Sequence, residues 1–341
     1  MKNKRKSIIP TGAFNLIKAK ILKIKFPHAI QFNITFRCNQ RCSYCGIYND
    51  KRYEMDTEEI CKMLDEFAAM GTSRLSITGG EPLIREDFPI IVKHAKECGF
   101  SVALATNGSL ISERLNYLEG VDNINMTLDG PQEIHDKQRG QGNFRKVIEA
   151  INLIKSKEIP LYLVSVITKN NYSLIDELLR LAKNLNVRLL LQPVFYAEQS
   201  HANNLKGYAD TKYEDNRMIE TLDRLINSKK RGNDNIILSE RYYQNVKKAI
   251  MQNKRIRCRN AGSLFSTISP DGKVAPCNLL VRDDRWLDGK KIGFKEAFLN
   301  MPKNECQGCL SSFLDIDDLY SLKPDVVWNY YKHYFTFFVK T

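Results

Sequence analysis

Short apolar runs alternate with amphipathic stretches along residues 30–194. Six runs predict strands at 30–36, 73–78, 101–106, 123–128, 161–167 and 188–194. Between them, apolar residues recur every three or four positions, predicting helices over 57–70, 87–98, 111–119, 143–157 and 173–186. Alternation of this kind implies an α/β fold with parallel strands joined by helical crossovers. Six units are fewer than the eight of a closed barrel but suit a partial one, whose binding face is built by the loops after the strands. Helices are predicted again at 211–230 and 239–252. The stretch IRCRNAGSLFSTISPDGKVAPC then reads as a β-hairpin turning at Ser269-Pro270-Asp271-Gly272. A domain boundary near 235 follows, giving four segments: 1–29, 30–235, 236–320 and 321–341.

Composition narrows this picture. The 341 residues suffice for about two domains, and no run approaches the ~20 apolar residues that span a bilayer. The N-terminus lacks the apolar core and cleavage site of a signal peptide, so the expected location is the cytoplasm. The net charge of +13 is uneven. Residues 1–26 hold Lys2, Lys4, Arg5, Lys6, Lys18, Lys20, Lys23 and Lys25 and no acid. Phe14, Leu16, Ile17, Ile21, Leu22 and Ile24 interleave with these lysines, as in a segment lying on an anionic membrane surface. At the other end, Trp328, Tyr330, Tyr331, Tyr334, Phe335, Phe337 and Phe338 suit a membrane interface. The competing reading packs both termini onto the body or onto a second subunit. Nucleic acid is not an expected partner, because no binding motif accompanies the charge.

The nine cysteines change the picture most. An odd count in an unexported chain argues against a disulfide scaffold. Cys38, Cys42 and Cys45 form CxxxCxxC directly after the first strand. Three thiolates can hold three corners of an iron–sulfur cluster and leave one iron open. Zinc would call for a fourth nearby Cys or His, and none is close in sequence. Cys258, Cys277, Cys306 and Cys309 form a second group. Cys61 and Cys98 fall on predicted helices and read as packing residues, as do His94 and His333.

With these motifs in place, the chain resembles the radical SAM superfamily, whose members are partial TIM barrels with a three-Cys [4Fe–4S] cluster on the first loop. The resemblance rests on the three cysteines and on motifs ending successive strands: Gly79-Gly80-Glu81-Pro82, Thr106-Asn107-Gly108 and Thr127-Leu128-Asp129-Gly130, with His135-Asp136-x-x-Arg139-Gly140 beyond. It implies that S-adenosylmethionine chelates the open iron through its amino and carboxylate groups. It places Glu81 on the methionyl amine, Asp129 on the ribose hydroxyls, Arg139 on the methionyl carboxylate and Tyr44 near the adenine. The two glycines are expected to let the backbone approach that ligand. The implied reaction passes one electron from the reduced cluster to the sulfonium, giving methionine and a 5′-deoxyadenosyl radical that takes hydrogen from substrate. An electron donor such as ferredoxin or flavodoxin is implied too. Arg37 and Arg41 flank the cluster cysteines as candidate cations, and Gln192, Tyr196 and Glu198 could face substrate.

The second cysteine group resembles the SPASM/twitch extension of such enzymes. A complete SPASM domain has seven cysteines and two clusters; four cysteines here imply one auxiliary [4Fe–4S] cluster, with a zinc ribbon as the structural alternative. The expected fold is therefore a partial (β/α)6 TIM barrel of the radical SAM type followed by a small Cys-rich SPASM/twitch-like domain. The substrate is open. The termini favour a lipid or lipid-linked substrate, with peripheral contact at the inner face of the membrane. A peptide-maturing or cofactor-building enzyme is the alternative, although about 29 residues before the first strand are few for a dedicated peptide-binding domain. A non-catalytic iron–sulfur or zinc protein is the reading from a different class.

Overall fold

The computed structural model describes residues 19–22, 24–194, 214–302 and 306–335. The strands are β1 (Ala29–Thr35), β2 (Arg74–Gly79), β3 (Ser101–Thr106), β4 (Asn123–Thr127), β5 (Leu161–Ile167) and β6 (Arg188–Pro193). Each lies within one residue of its expected position at either end. Consecutive strands pair in parallel, so all six C-terminal ends emerge on one rim. Helices α1 (Thr57–Ala69), α2 (Phe88–Glu97), α3 (Gln132–Arg139), α4 (Asn143–Ser156) and α5 (Ile175–Asn184) provide crossovers. Helix α1 starts at a capping box between Asp56 and Glu59, and buries Ile60, Met63, Leu64 and Phe67, one stripe at helical spacing.

Burial alternates along β2, β3, β4 and β6, and along part of β1 and β5. Phe32, Ile34, Leu75, Ile77, Val102, Leu104, Ile124, Met126, Leu189 and Leu191 are sealed under the helices. Their neighbours Ser76, Thr78, Ala103, Ala105, Asn125, Thr127, Val164, Val166, Leu190 and Gln192 are half-buried. A parallel sheet covered on both faces reads as continuous apolar runs. Alternation with small and polar residues instead marks a concave face left open to a ligand.

Two local readings are corrected. Residues 111–119 do not form an α-helix; only a 3-10 turn at Leu115–Leu118 appears. The chain at 107–109 is committed to hydrogen bonds around the first cysteine loop, and Asp122 must already return to Val102 through its N–H. Too few residues remain for regular turns. Conversely, α3 escapes an apolar-period reading because the residues it buries are His135, Asp136, Gln138 and Arg139.

Beyond residue 214, α6 (Asp215–Lys230) and α7 (Glu240–Met251) pack together. The hairpin follows as β7 (Phe265–Ile268) and β8 (Lys273–Ala275). Its turn is the expected one: Gly272 has φ +87°, and Ser269 and Lys273 close it. The hairpin does not stand apart from the barrel. β7 pairs in parallel with β1, β8 antiparallel with β7, and β9 (Leu287–Asp288) with β8, so one nine-stranded sheet runs β6-β5-β4-β3-β2-β1-β7-β8-β9.

The loop after β2 is clamped to the loop after β1. Gly80 donates its N–H to the Thr35 carbonyl at 2.7 Å and Glu81 to that of Arg37 at 2.9 Å. A Cβ on Gly79 would stand 2.1 Å from the Thr35 oxygen, and one on Gly80 2.0 Å from the Arg37 oxygen. Gly79 also has φ +132°, which side chains rarely adopt. The two glycines are therefore required by a close approach of backbone to backbone. Gly80→Ala is expected to destabilise the fold by about 2–4 kcal/mol and to lower iron retention at the first loop. Urea unfolding and iron analysis of the anaerobic protein would check both.

Candidate active site and second cysteine group

Cys38 follows β1 by three residues and opens the loop on the C-terminal rim. Its sulfur accepts from the Gln40 N–H at 3.4 Å and from Asn107 Nδ2 at 3.9 Å. The Cys42 thiol donates to Gln40 Oε1 at 3.6 Å. Gln40 in turn donates to Asn143 Oδ1 at 3.0 Å, and Ser43 N–H to the Gln138 carbonyl, also at 3.0 Å. Helices α3 and α4 thus hold the loop. Gln40, Asn39 and Asn143 were missed from sequence, since single amides carry no spacing signal. Burial pushes the Cys45 thiol up to about 11 and raises Cys38 and Cys42, the buried Arg139 guanidinium opposing the shift at Cys42. Thiols in such surroundings ionise when bound cations compensate them.

The donor set distinguishes a cluster from a single ion. Three ligands of one tetrahedral zinc lie within about 4 Å of each other. Among the described residues, neither cysteine group brings three ligand atoms within 4.8 Å of one another. Thiolates are the usual ligands of iron–sulfur clusters, and the two groups supply three and four of them.

Glu81 lies between two loops of the rim. It is fully buried, with Oε1 accepting from Leu83 N–H and Thr106 Oγ1 and Oε2 from Asn107 N–H. Its carboxylate binds the loops after β2 and β3 together. Burial nevertheless pushes its carboxyl up to about 7 against those hydrogen bonds. Pro82 opens the 3-10 turn that Glu81 caps. Asn107 completes the bracket, donating to Asn39 Oδ1 at 2.9 Å and accepting from Ser109 N–H. Thr127 ends β4 half-buried on the concave face.

Asp129 and Arg139 lie together. Asp129 Oδ2 accepts from Arg139 Nε at 2.6 Å and from the Tyr44 hydroxyl at 2.7 Å, and Oδ1 from Val166 N–H at 3.1 Å. Both side chains are buried, and the Arg139 guanidinium also donates to the Tyr44 oxygen and lies 5.5 Å from that ring's centre. Asp129, Arg139 and Tyr44 thus form one connected cluster. The three lock the cysteine loop to β4 and β5. His135 supports them, its Nδ1 accepting from Asp129 N–H at 3.2 Å, and burial holds it neutral by pushing its pKa down to about 4.

The second group forms a pocket. Cys258, Cys277, Cys306 and Cys309 together line a cavity of about 240 Å³ with Arg257, Arg259 and Phe313. Ile256 and Cys309 exchange backbone hydrogen bonds across it, and Asp317 Oδ1 accepts from the N–H groups of Arg259 and Asn260, fixing the turn after Cys258. Cys258 donates its thiol proton to Cys309, which raises the first thiol and lowers the second, and burial pushes Cys277 up to about 12. Four cysteines on one cavity fit a closed auxiliary cluster.

Other expected residues separate from the site. Arg37 makes a bidentate pair with Glu54, and Arg41 lies over the Tyr48 ring and donates to the Cys38 carbonyl. Both are exposed, and the buried cation beside the cysteines is Arg139. Gln192 accepts from Ser312 N–H at 3.0 Å, whereas Tyr196 and Glu198 lie outside the described residues. Most of the basic start and the end of the aromatic tail lie outside them as well. Lys20 and Lys25 reach Asn260 and the Leu299 carbonyl, so that part packs on the body. Trp328 and Tyr331 stack on each other and are exposed. Among the described residues, no helix is long and apolar enough to cross a membrane. Asp129→Asn breaks a buried ion pair and is expected to cost about 3–5 kcal/mol. Tyr44→Phe removes one hydrogen-bonding hydroxyl and should cost about 1 kcal/mol. Urea unfolding of the two variants side by side checks the ratio.

Comparison with known proteins agrees with this geometry. Residues 32–182 match the family described as the radical SAM superfamily. A PqqA peptide cyclase from Ruegeria pomeroyi is 30% identical over 274 residues, 76% of this chain and 70% of that protein. An AdoMet-dependent heme synthase from Methanosarcina barkeri is 32% identical over 168 residues, 47% of this chain and 48% of that protein. Among solved structures, anSMEcpe with bound AdoMet superimposes with a TM-score of 0.63 at 22% identity, covering 80% of this chain and 77% of that one. The chain belongs to the radical SAM superfamily and is an enzyme of the class that works with a [4Fe–4S] cluster and S-adenosylmethionine.

Proposed function

We propose that this enzyme modifies a peptide. The observation that carries the reading is the extent of the similarity to the peptide cyclase. At 76% of the chain it is far longer than the family match over 32–182, and must reach into the region beyond the barrel. The lipid reading drawn from the termini gains nothing from the comparisons. The heme synthase similarity favours a cofactor precursor as the second reading, but it spans under half of the chain.

Within this reading, Cys38, Cys42 and Cys45 hold the catalytic cluster, and Cys258, Cys277, Cys306 and Cys309 the auxiliary one. When bound, the cluster and S-adenosylmethionine supply one-electron cleavage of the sulfonium C5′–S bond and a 5′-deoxyadenosyl radical. The chain's own residues set the conditions. Gln40 and Asn107 donate to the Cys38 sulfur, and hydrogen bonds to a ligating sulfur tune the potential. Arg139 keeps a buried positive charge beside Cys42, which favours an added electron. Gly79, Gly80, Thr106 and Thr127 form the rim, and Ser76, Thr78 and Asn125 offer polar groups on the concave face where nucleoside and methionyl groups need partners. The auxiliary pocket, closed by four thiols, suits electron transfer or support more than substrate ligation.

Two measurements test this. Anaerobic reconstitution should give about eight irons per chain, from two four-iron clusters. The Cys38→Ala, Cys42→Ala, Cys45→Ala variant should keep about half and lose S-adenosylmethionine cleavage; unchanged 5′-deoxyadenosine formation would sink the site assignment. For the substrate, the reduced enzyme would be given a peptide-enriched extract of the source cells. A rise in 5′-deoxyadenosine that disappears when the extract is first digested with protease is expected. A rise that survives digestion, or that follows a lipid extract instead, overturns the peptide reading.

A further inference from the structure

Cys61 and Cys98, expected as packing residues, are only half-buried. Each belongs to a pair one helical turn apart. Cys61 and Asp65 lie on α1, beside the stripe of Ile60, Met63, Leu64 and Phe67 that enters the core. His94 lies on α2, and Cys98 caps its C-terminus. Residues four apart share one helix face, and α1 packs against α2, so the two pairs meet across the seam between the helices. His94 Nε2 is 2.8 Å from Asp65 Oδ1, and the Cys98 thiol donates to the same oxygen at 3.3 Å. The three ligand atoms lie within 4.8 Å of one another. Among the described residues, no other three His, Cys, Asp or Glu side chains converge so closely. Burial, the Asp65 hydrogen bond and the nearby Cys61 push the Cys98 thiol up to about 11.

This set is distinct from both cysteine groups of the proposed clusters. Cys98 stands three residues before β3 begins, at the end of the sheet opposite the cysteine loop. Thiolate, imidazole and carboxylate together are the donors of a borderline divalent cation, and tetrahedral zinc separates its ligand atoms by about 3.3–3.8 Å. The observed spacings need only a small rotamer adjustment to reach that edge length. We propose that Asp65, His94 and Cys98, with a water molecule as the fourth ligand, form a mononuclear zinc-type site that clips α1 to α2. On binding, the Cys98 thiol releases its proton to solvent, and the cation replaces the hydrogen bonds now made to Asp65. The site lies off the catalytic rim, so its role is to fasten the barrel wall.

The test uses the anaerobically reconstituted holoprotein, dialysed against low-micromolar zinc chloride and then against zinc-free buffer. Zinc and iron per chain are measured by mass spectrometry, and the zinc shell by X-ray absorption. The expected result is about one zinc per chain, with sulfur at about 2.3 Å and nitrogen or oxygen at about 2.0–2.1 Å. His94→Ala and Cys98→Ser should each lose the zinc while keeping the wild-type iron content, and Asp65→Asn provides an exposed, fold-neutral third variant. No retained zinc in the wild type, or zinc retained equally in all three variants, overturns the site. Zinc with an all-sulfur shell and halved iron would place the ion in the Cys258 group and overturn the auxiliary-cluster assignment as well, so the two proposals fail separately.

Discussion

Everything on the catalytic rim depends on how closely two loops approach. The Thr35 and Arg37 carbonyls receive the N–H groups of Gly80 and Glu81 at hydrogen-bond distance, with no room for a Cβ on either glycine. Arg85 adds a second tie, its buried guanidinium donating to the carbonyls of Ile34 and Met55. The residue before Cys38 is thereby fixed against the neighbouring strand. Backbone hydrogen bonds in a dry setting are geometrically strict. A cluster loop fastened through them holds its sulfur positions better than one held by side chains alone.

A second layer of polar contacts surrounds this clamp. Glu81 gathers the loops after β2 and β3, and Asp129 gathers Tyr44, helix α3 and strand β5, each carboxylate using both oxygens. The costs of burying these charges differ. Asp129 faces a guanidinium at 2.6 Å, whereas Glu81 has only neutral donors, and burial pushes its carboxyl up to about 7. Burial without a counter-charge disfavours the ionised form; an adjacent cation restores it. The motif residues thus bond to one another and shape the rim.

Much of this was legible from the chain, for identifiable reasons. The six barrel strands could be read because their apolar runs end in Gly, Asn and Asp turns, and the hairpin because Ser-Pro-Asp-Gly fixes its corner. The cysteine spacings pointed to clusters because few other chemistries need three thiols in eight residues. Partners across space were not legible. Nothing in the order of residues says that Tyr44 meets Asp129 or that Gln192 meets Ser312. Helix α3 was hidden because its sealed face is polar. Cys61 and Cys98 looked like packing residues because their relation to Asp65 and His94 exists only once α1 and α2 are side by side.

The junction of the hairpin with the barrel bears on how the chain can be divided. Strand β1 has β2 on one side and β7 on the other, pairing from Ala29 with Phe265 to Phe32 with Ile268. Asn33 adds a side-chain tie to Asn278, just beyond Cys277. A chain cut near residue 235 would leave β1 with a row of unsatisfied N–H and C=O groups facing solvent. Such an edge templates pairing with other chains. The Cys-rich region therefore serves as the edge guard of the barrel, and the strand that leads to the first cysteine loop is shielded from aggregation by the segment that carries the second group of cysteines.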